Sequence, residues 1–269
     1  MQNLAWTHRY RPARADNRMR GEGDVRAARE HFFAHRGGNL EFMLRRRYEW
    51  MNDYIQPSDR GIEIGCGTGV SKLFIRAAEH RLTDYAAHEW IDVKNVDALA
   101  TPFADAEFDF VVSSNMIHHV PQPLQLFTEM RRILKPGGWL LVQEINASLT
   151  MRLVLRMMRH EGYAFDARVF DPDEICTDPN DLWSANCAIP NLLFDDRAEF
   201  ERNVPFFRIE RSTFSELFLF LNSGGVIAKT ASLPLPELAL KGLERVDQLL
   251  AGALPKVFAL QRQIALRKI

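Results

Sequence analysis

Four residues at alternate positions, Glu63, Gly65, Gly67 and Gly69, mark the first place where this chain could do chemistry. They fall where a β-prone run, Gly61-Ile62-Glu63-Ile64, gives way to a segment whose Val70, Leu73 and Phe74 repeat at helical spacing. Glycine accepts positive φ and lets a ligand approach the main chain, and a helix start behind it offers unpaired N–H groups. Strand, glycine turn and helix together make a nucleotide-sized socket. A dinucleotide would want G-x-G-x-x-G, whose last glycine falls where this chain has Val70. Glu63 also disfavours a pyrophosphate and suits a cationic ligand.

Other residues could complete a site around that socket. Asp84 stands about twenty residues beyond the glycines, at the end of a second β-like run, where a carboxylate can accept both hydroxyls of a ribose. Glu89 and Asp92 rival it for that role. Asp97 and the following amide of Ala98 match the donor and acceptor of a neutral purine edge; a turn or capping aspartate is the plain alternative. His118 and His119 follow a buried-type strand, and a histidine with an ordinary pKa near 6.5 can remove a proton from an attacking hydroxyl or ammonium. Glu144, at the end of another strand, would orient one of them or act as base itself; packing or capping is the structural alternative for both histidines. Cys66, Cys176 and Cys187 and the histidines show no metal-ligand spacing, so no metal is expected.

The elements that must hold these residues alternate in type. The pattern predicts a helix over residues 40–55 capped by Asn39, strands over 61–64, 81–85, 91–96, 108–114 and 139–144, and helices over 70–76 and 124–134. Too few residues separate Tyr85 from Ile91 for a crossover helix, so an irregular loop is expected there. After a helix over 149–159, residues 162–194 read as a long loop containing Trp183 and Asn186, a suitable acceptor-recognition surface. Strands over 206–212 and 257–267 flank the run Leu217-Phe218-Leu219-Phe220-Leu221 and a helix over 236–250. The chain divides into a helical cap or lid (1–57), a socket-bearing core (58–146), an insert (147–205) and a closing segment (206–269). Arginines 9, 11, 14, 18, 20, 26 and 29 of the cap could recruit an anionic acceptor, or simply be solvated.

Composition narrows the class. With 46% hydrophobic and 26% charged residues the 269-residue chain can bury a sizeable core, and a net charge of −1 gives no global pull towards nucleic acid. Three cysteines make no disulfide framework, which fits a reducing, cytoplasmic setting. No apolar run reaches the roughly 20 residues of a membrane span, although 217–221 and 149–158 could together make a peripheral, greasy surface.

Four segments, in order, carry a resemblance: E-I-G-C-G-T-G at 63–69, D-A-L-A-T-P-F at 97–103, F-D-F-V-V-S-S-N-M-I-H-H-V at 108–120 and L-K-P-G-G-W-L-L-V-Q-E at 134–144. Together they resemble the class I S-adenosylmethionine (SAM)-dependent methyltransferases of the type 11 kind. The resemblance implies an α/β, Rossmann-like doubly wound sheet of seven strands, mostly parallel with one antiparallel, plus the helical cap and an insert after the fifth strand. It further implies SAM as cofactor and S-adenosylhomocysteine as product. Glu63, Gly65, Cys66 and Gly67 would line the methionine portion, Asp84 the ribose, Asp97 and Ala98 the adenine, and Ser114 and Asn115 the wall near the sulfonium. Less specific segments, S-A-N-C-A-I-P-N-L-L-F-D-D-R at 184–197 and L-N-S-G-G-V at 221–226, resemble a branch associated with surface-polysaccharide and natural-product biosynthesis. The expected activity is methyl transfer to an oxygen or nitrogen of a small-molecule acceptor, with a sugar or lipid-linked glycan as one candidate. Two other readings remain: a catalytically silent methyltransferase-like scaffold, and a nucleic-acid methyltransferase, which the near-neutral charge and the lack of an N-P-P-Y motif disfavour.

Overall fold

The computed structural model describes residues 7–12, 24–159, 161–227 and 229–269. Its strands in chain order are β1 (Arg9–Tyr10), β2 (Arg60–Ile64), β3 (Glu79–Leu82), β4 (Phe108–Ser114), β5 (Leu134–Ile145), β6 (Tyr163–Ala164), β7 (Phe207–Ser215) and β8 (Gln261–Lys268). Six of them form the main sheet in the order β3-β2-β4-β5-β8-β7, while β1 and β6 pair by themselves. β3, β2, β4 and β5 run parallel, and β8 is antiparallel to both its neighbours.

Parallel strands with both faces covered read as continuous apolar runs, and β4 does so: Phe108, Phe110, Val111 and Val112 are fully buried. On one face lies the helix Pro123–Ile133, whose Leu126, Phe127, Met130 and Ile133 join Phe194, Phe200 and Phe207 in the largest apolar cluster. On the other lies Gly38–Glu49, whose Met43, Leu44 and Tyr48 pack with Trp50, Met51 and Phe74. The result is the expected mostly parallel α/β sandwich with one antiparallel strand.

Several expectations shift in detail. Residues 91–96 do not make a seventh strand; Val93 touches Thr83 in a single parallel bridge. The preceding linker is too short for a crossover helix, and the Asp92 carboxylate instead takes the Leu82 N–H (2.7 Å) and pairs with Lys72 (2.6 Å). The helix expected over 70–76 shrinks to a 3₁₀ turn, Val70–Leu73. Asn52 stops it, accepting the Arg76 N–H (2.8 Å) and donating to the Phe74 carbonyl (2.9 Å). Tyr48 stacks on Phe74 just beyond that turn, ring centroids 6.1 Å apart.

Asn39 does not cap its helix; Gly37 holds the cap position, and the buried Asn39 side chain clamps Asn222 and Leu233 through their carbonyls, both at 2.7 Å. The run at 217–221 is a core element, a short helix, Phe218–Leu221, with Leu217 and Leu219 buried. Its first N–H groups are taken by the Asp247 carboxylate, which accepts from Leu217, Phe218 and Leu219 at 2.9–3.0 Å. Asp247 belongs to the helix Glu237–Ala253, close to the one expected. Pro255–Phe258 is a further helical turn, so the last strand starts at Gln261 rather than at 257.

Candidate active site

Where the strand order reverses beside β2 and β4, the sheet leaves a crevice at its carboxyl edge, the place where ligands of open α/β sheets bind. A cavity of about 870 Å³ occupies it. Gly65, Cys66, Gly67, Asp84, Asp97, Ala98, Ser114, Asn115, His118 and His119 all line it. Ten of the expected residues, some read from type and spacing and others implied by the resemblance, thus share one chamber.

The glycine loop has the backbone its sequence demands. Gly65 takes φ +63°, and a Cβ there would lie 2.4 Å from Met116 Cγ. Gly67 takes φ +50° with open space where a Cβ would stand, so its main chain is presented bare to the cavity. Asp84 pins that loop: one carboxylate oxygen accepts the Gly67 N–H (2.8 Å) and the other the Ala86 N–H (2.9 Å). Each oxygen keeps a second lone pair for a ligand hydroxyl. Asp97 is shaped by the Leu99 N–H (2.8 Å). At the end of β4, Asn115 adopts φ +50° and accepts the Gln261 amide at 3.0 Å.

Two expected residues lie behind the cavity wall. Glu63 is 1% exposed and accepts the hydroxyls of Ser71 and Tyr48. Burial pushes its pKa up to about 8, against the lowering pull of those two hydroxyls. Glu144 is fully buried and takes the Ile117 N–H (2.7 Å), the Ile145 N–H (2.8 Å) and His118 Nδ1 (2.7 Å). Neither Glu89 nor Asp92 lines the cavity: Glu89 pairs with Arg26 and Asp92 with Lys72. Asp84 therefore stands alone among the three carboxylates considered for the ribose.

Glu63 makes stability depend on pH. The folded chain keeps its proton up to about 8, whereas the unfolded chain releases it near the usual 4.5. Between those values the folded state binds more protons, so this contribution is complete below about pH 4.5 and is lost as pH rises through about 8. Glu63→Gln is expected to flatten that part of the stability–pH curve in urea denaturation. Equal slopes for the two proteins would contradict this environment for Glu63.

The histidine pair lines the same cavity. Burial alone would lower His118, yet Glu144 and Glu161 outweigh it and hold the ring up at about 10. Burial, reinforced by the His118 cation, takes His119 down to about 4. His119 Nδ1 faces the Ser184 carbonyl at 3.0 Å and must donate to it, which leaves the lone pair on Nε2. The 147–205 insert grips both residues through backbone: Thr177 donates its hydroxyl to the His119 carbonyl (2.7 Å), and the Asn186 N–H reaches the His118 carbonyl (2.8 Å). Trp183 meets the His119 ring edge-on at 6.4 Å and lines the cavity. Asn186, expected beside it, is spent on the Ala164 backbone (2.8 and 3.0 Å). Met151, Val154, Leu155 and Met158 of the helix Leu149–Met158 give the cavity an apolar wall.

Of the cap arginines, Arg14, Arg18 and Arg20 lie outside the described residues. Arg9 pairs with Asp166 (3.2 Å), Arg26 with Glu89, and Arg29 lies over Trp90 at 4.9 Å while donating to the Thr68 carbonyl. These three fasten the N-terminal segment to its neighbours. Sequence reasoning missed Glu161, which lines the cavity and faces both histidines, and Arg47, which also lines it. Glu161 sits in an unremarkable loop with no local signal.

The donor set fits SAM: a bare glycine loop, a carboxylate for two hydroxyls, and an aspartate–amide pair for a purine edge. The family described as "Methyltransferase domain" matches residues 62–142. An uncharacterised methyltransferase of Mycobacterium tuberculosis is 58% identical over 40 residues, covering 15% of this chain and 16% of that protein. A hybrid PKS-NRPS synthetase of a fungal species is 31% identical over 99 residues, covering 36% of this chain and 2% of that protein. The chain thus spans less than a fifth of either relative. Among solved structures, a SAM-dependent methyltransferase from Archaeoglobus fulgidus superposes with a TM-score of 0.50 at 16% identity, over 89% of this chain and 98% of the other. That likeness is one of fold.

Proposed function

We propose, from the premise that this chain carries a class I SAM-dependent methyltransferase domain at residues 62–142, that it transfers a methyl group to an oxygen or nitrogen of a small-molecule acceptor. The observation that carries this reading is that the Gly65–Gly67 loop, Asp84, Asp97, His118 and His119 line one cavity. Bound SAM supplies an electrophilic methyl carbon, which the acceptor lone pair takes as the C–S electron pair returns to sulfur.

The chain's own residues do the rest. Asp84 accepts from the ribose and keeps the loop in place, Asp97 and the Ala98 amide hold the purine edge, and Ser114 and Asn115 wall the transfer point. Gly65, Cys66 and Gly67 admit the methionine portion, with Glu63 buttressing the loop from behind. His118 and His119 flank the acceptor, and Glu144 orients His118. The buried, positioned geometry is the main catalytic resource, worth up to roughly 7–11 kcal/mol in well-aligned cases.

Residues 147–205 serve the acceptor. Their apolar wall and the face of Trp183 support an acceptor with a greasy or ring-shaped portion, such as a sugar attached to lipid. Leu149, Leu153 and Met157 are exposed on the outer side of the same helix, and Met157 is 73% exposed, which suits peripheral contact with a lipid phase. No helix among the described residues is long and apolar enough to cross a membrane.

The test uses methyl-labelled SAM with panels of free sugars, lipid-linked sugars, phenols and amines. Label is expected in one acceptor class together with S-adenosylhomocysteine. His119→Ala should lower turnover roughly 10²–10⁴-fold with SAM affinity held. SAM binding with no transfer to any class would favour the scaffold reading.

A further inference from the structure

Three side chains of the cavity are arranged as a ligand set. His118 Nε2 lies 3.5 Å from Glu161 Oε2, and His119 Nε2 lies 3.6 Å from Glu161 Oε1. One donor atom from each of the three falls within 4.8 Å of the others. Ligands of a tetrahedral ion at about 2.0–2.1 Å stand roughly 3.3 Å apart, and each histidine lies near that distance from its own oxygen of the Glu161 carboxylate, so an ion between them takes that carboxylate through both oxygens.

The outer contacts orient the set. His118 Nδ1 is held by the Glu144 carboxylate at 2.7 Å and His119 Nδ1 by the Ser184 carbonyl at 3.0 Å, so both rings turn Nε2 towards Glu161. A carboxylate or carbonyl behind each imidazole is the usual support of a metal-bound histidine. The Cys187 thiol donates to Glu161 at 3.3 Å and steadies the third ligand. All three ligand residues line the cavity, leaving room on that side for a further ligand.

We propose that His118, His119 and Glu161 bind one divalent transition metal ion of the zinc class, with an open position facing the cavity for an oxygen of the acceptor. Two imidazoles and one carboxylate suit such an ion, whereas magnesium and calcium prefer oxygen ligands throughout. Sequence spacing gave no hint of this, because the two histidines are adjacent and the third ligand is far along the chain. The acceptor class narrows to hydroxyl or enol compounds; coordination weakens the O–H bond, and the proton leaves to solvent before the oxygen attacks. This use of the ion rests on the methyltransferase reading, while the ion site itself does not.

The test begins with full-length protein stripped by chelator and dialysed. Cobalt(II) is titrated while its visible absorption is followed, then zinc(II) is added, and zinc(II) and magnesium(II) are titrated separately by calorimetry. One equivalent of cobalt with the intense bands of low coordination, displaced by zinc, is expected, with magnesium giving no saturable heat. His119→Asn and Glu161→Gln should weaken zinc at least about 100-fold, and Glu144→Gln about 10–100-fold. SAM affinity in each variant confirms that the fold is retained. Absence of the cobalt bands, or zinc affinity unchanged in His119→Asn and Glu161→Gln, would overturn the site. One-equivalent zinc binding in a protein that transfers no methyl group would uphold the site and remove the methyltransferase reading instead. Full turnover in stripped protein would overturn the role given to the ion.

Discussion

Arg47→Ala is expected to lower the stability of this protein by about 3–5 kcal/mol, the cost of stranding one member of a buried ion pair. Arg47 reaches Glu216 through two parallel bonds, Nε to Oε1 at 2.7 Å and Nη2 to Oε2 at 2.6 Å, with the side chains 7% and 6% exposed. The pair ties the Gly38–Glu49 helix to the connection after β7, where Glu216 itself adopts φ +60°. Without the guanidinium, Glu216 keeps its desolvation cost and loses its partner. Replacing both residues, Arg47→Met with Glu216→Leu, removes both costs and should recover most of the loss. Urea denaturation reads this as a midpoint shift at unchanged m value. A loss below about 1 kcal/mol for the single variant would mean that the pair behaves as an exposed one.

Asp84→Ala should weaken SAM binding roughly 10²–10⁴-fold, because it removes a charged acceptor from two ligand hydroxyls at about 1.5–3 kcal/mol each. The same change frees the Gly67 and Ala86 N–H groups that shape the loop. Asp84→Asn keeps an acceptor oxygen but not the charge, and should fall between wild type and Asp84→Ala. Calorimetry separates the three proteins. Unchanged affinity in Asp84→Ala would show that the ribose sits elsewhere.

The parts of the fold legible in sequence were those written in local patterns. The apolar run of β4 and the helix Pro123–Ile133 follow from periodicity alone. Gly65 and Gly67 announced a turn that only glycine makes without strain, and both have positive φ. Elements decided by tertiary competition were less legible. Val70, Leu73 and Phe74 have helical spacing, but Asn52 arrives from another element and ends the turn after Leu73. Residues 91–96 have strand composition, but their bonds to the Leu82 and Asp84 carbonyls make a single bridge, Thr83–Val93, and not a ladder.

The site divides the same way. Asp84, Ser114 and Asn115 stand at strand ends, which the topology of an open α/β sheet brings to one crevice, and Asp97 follows the stretch that a single bridge ties to Thr83. Glu63 shares that motif yet lies behind the cavity wall, its carboxylate taken by the hydroxyls of Tyr48 and Ser71. Glu161 depends on how a loop after the fifth strand folds back, and nothing near it in sequence encodes that path. Asn186 looked like a recognition residue by type, but its amide satisfies the buried backbone of Ala164.

The most direct test of the central claim is calorimetric titration of SAM, S-adenosylhomocysteine and NAD into purified protein cleared of carried-over ligand. A single site for SAM and its product is expected, with Kd on the order of micromolar, about −8 kcal/mol, and no saturable heat from NAD. Folded protein that binds neither SAM nor S-adenosylhomocysteine, or that binds NAD in their place, would contradict it.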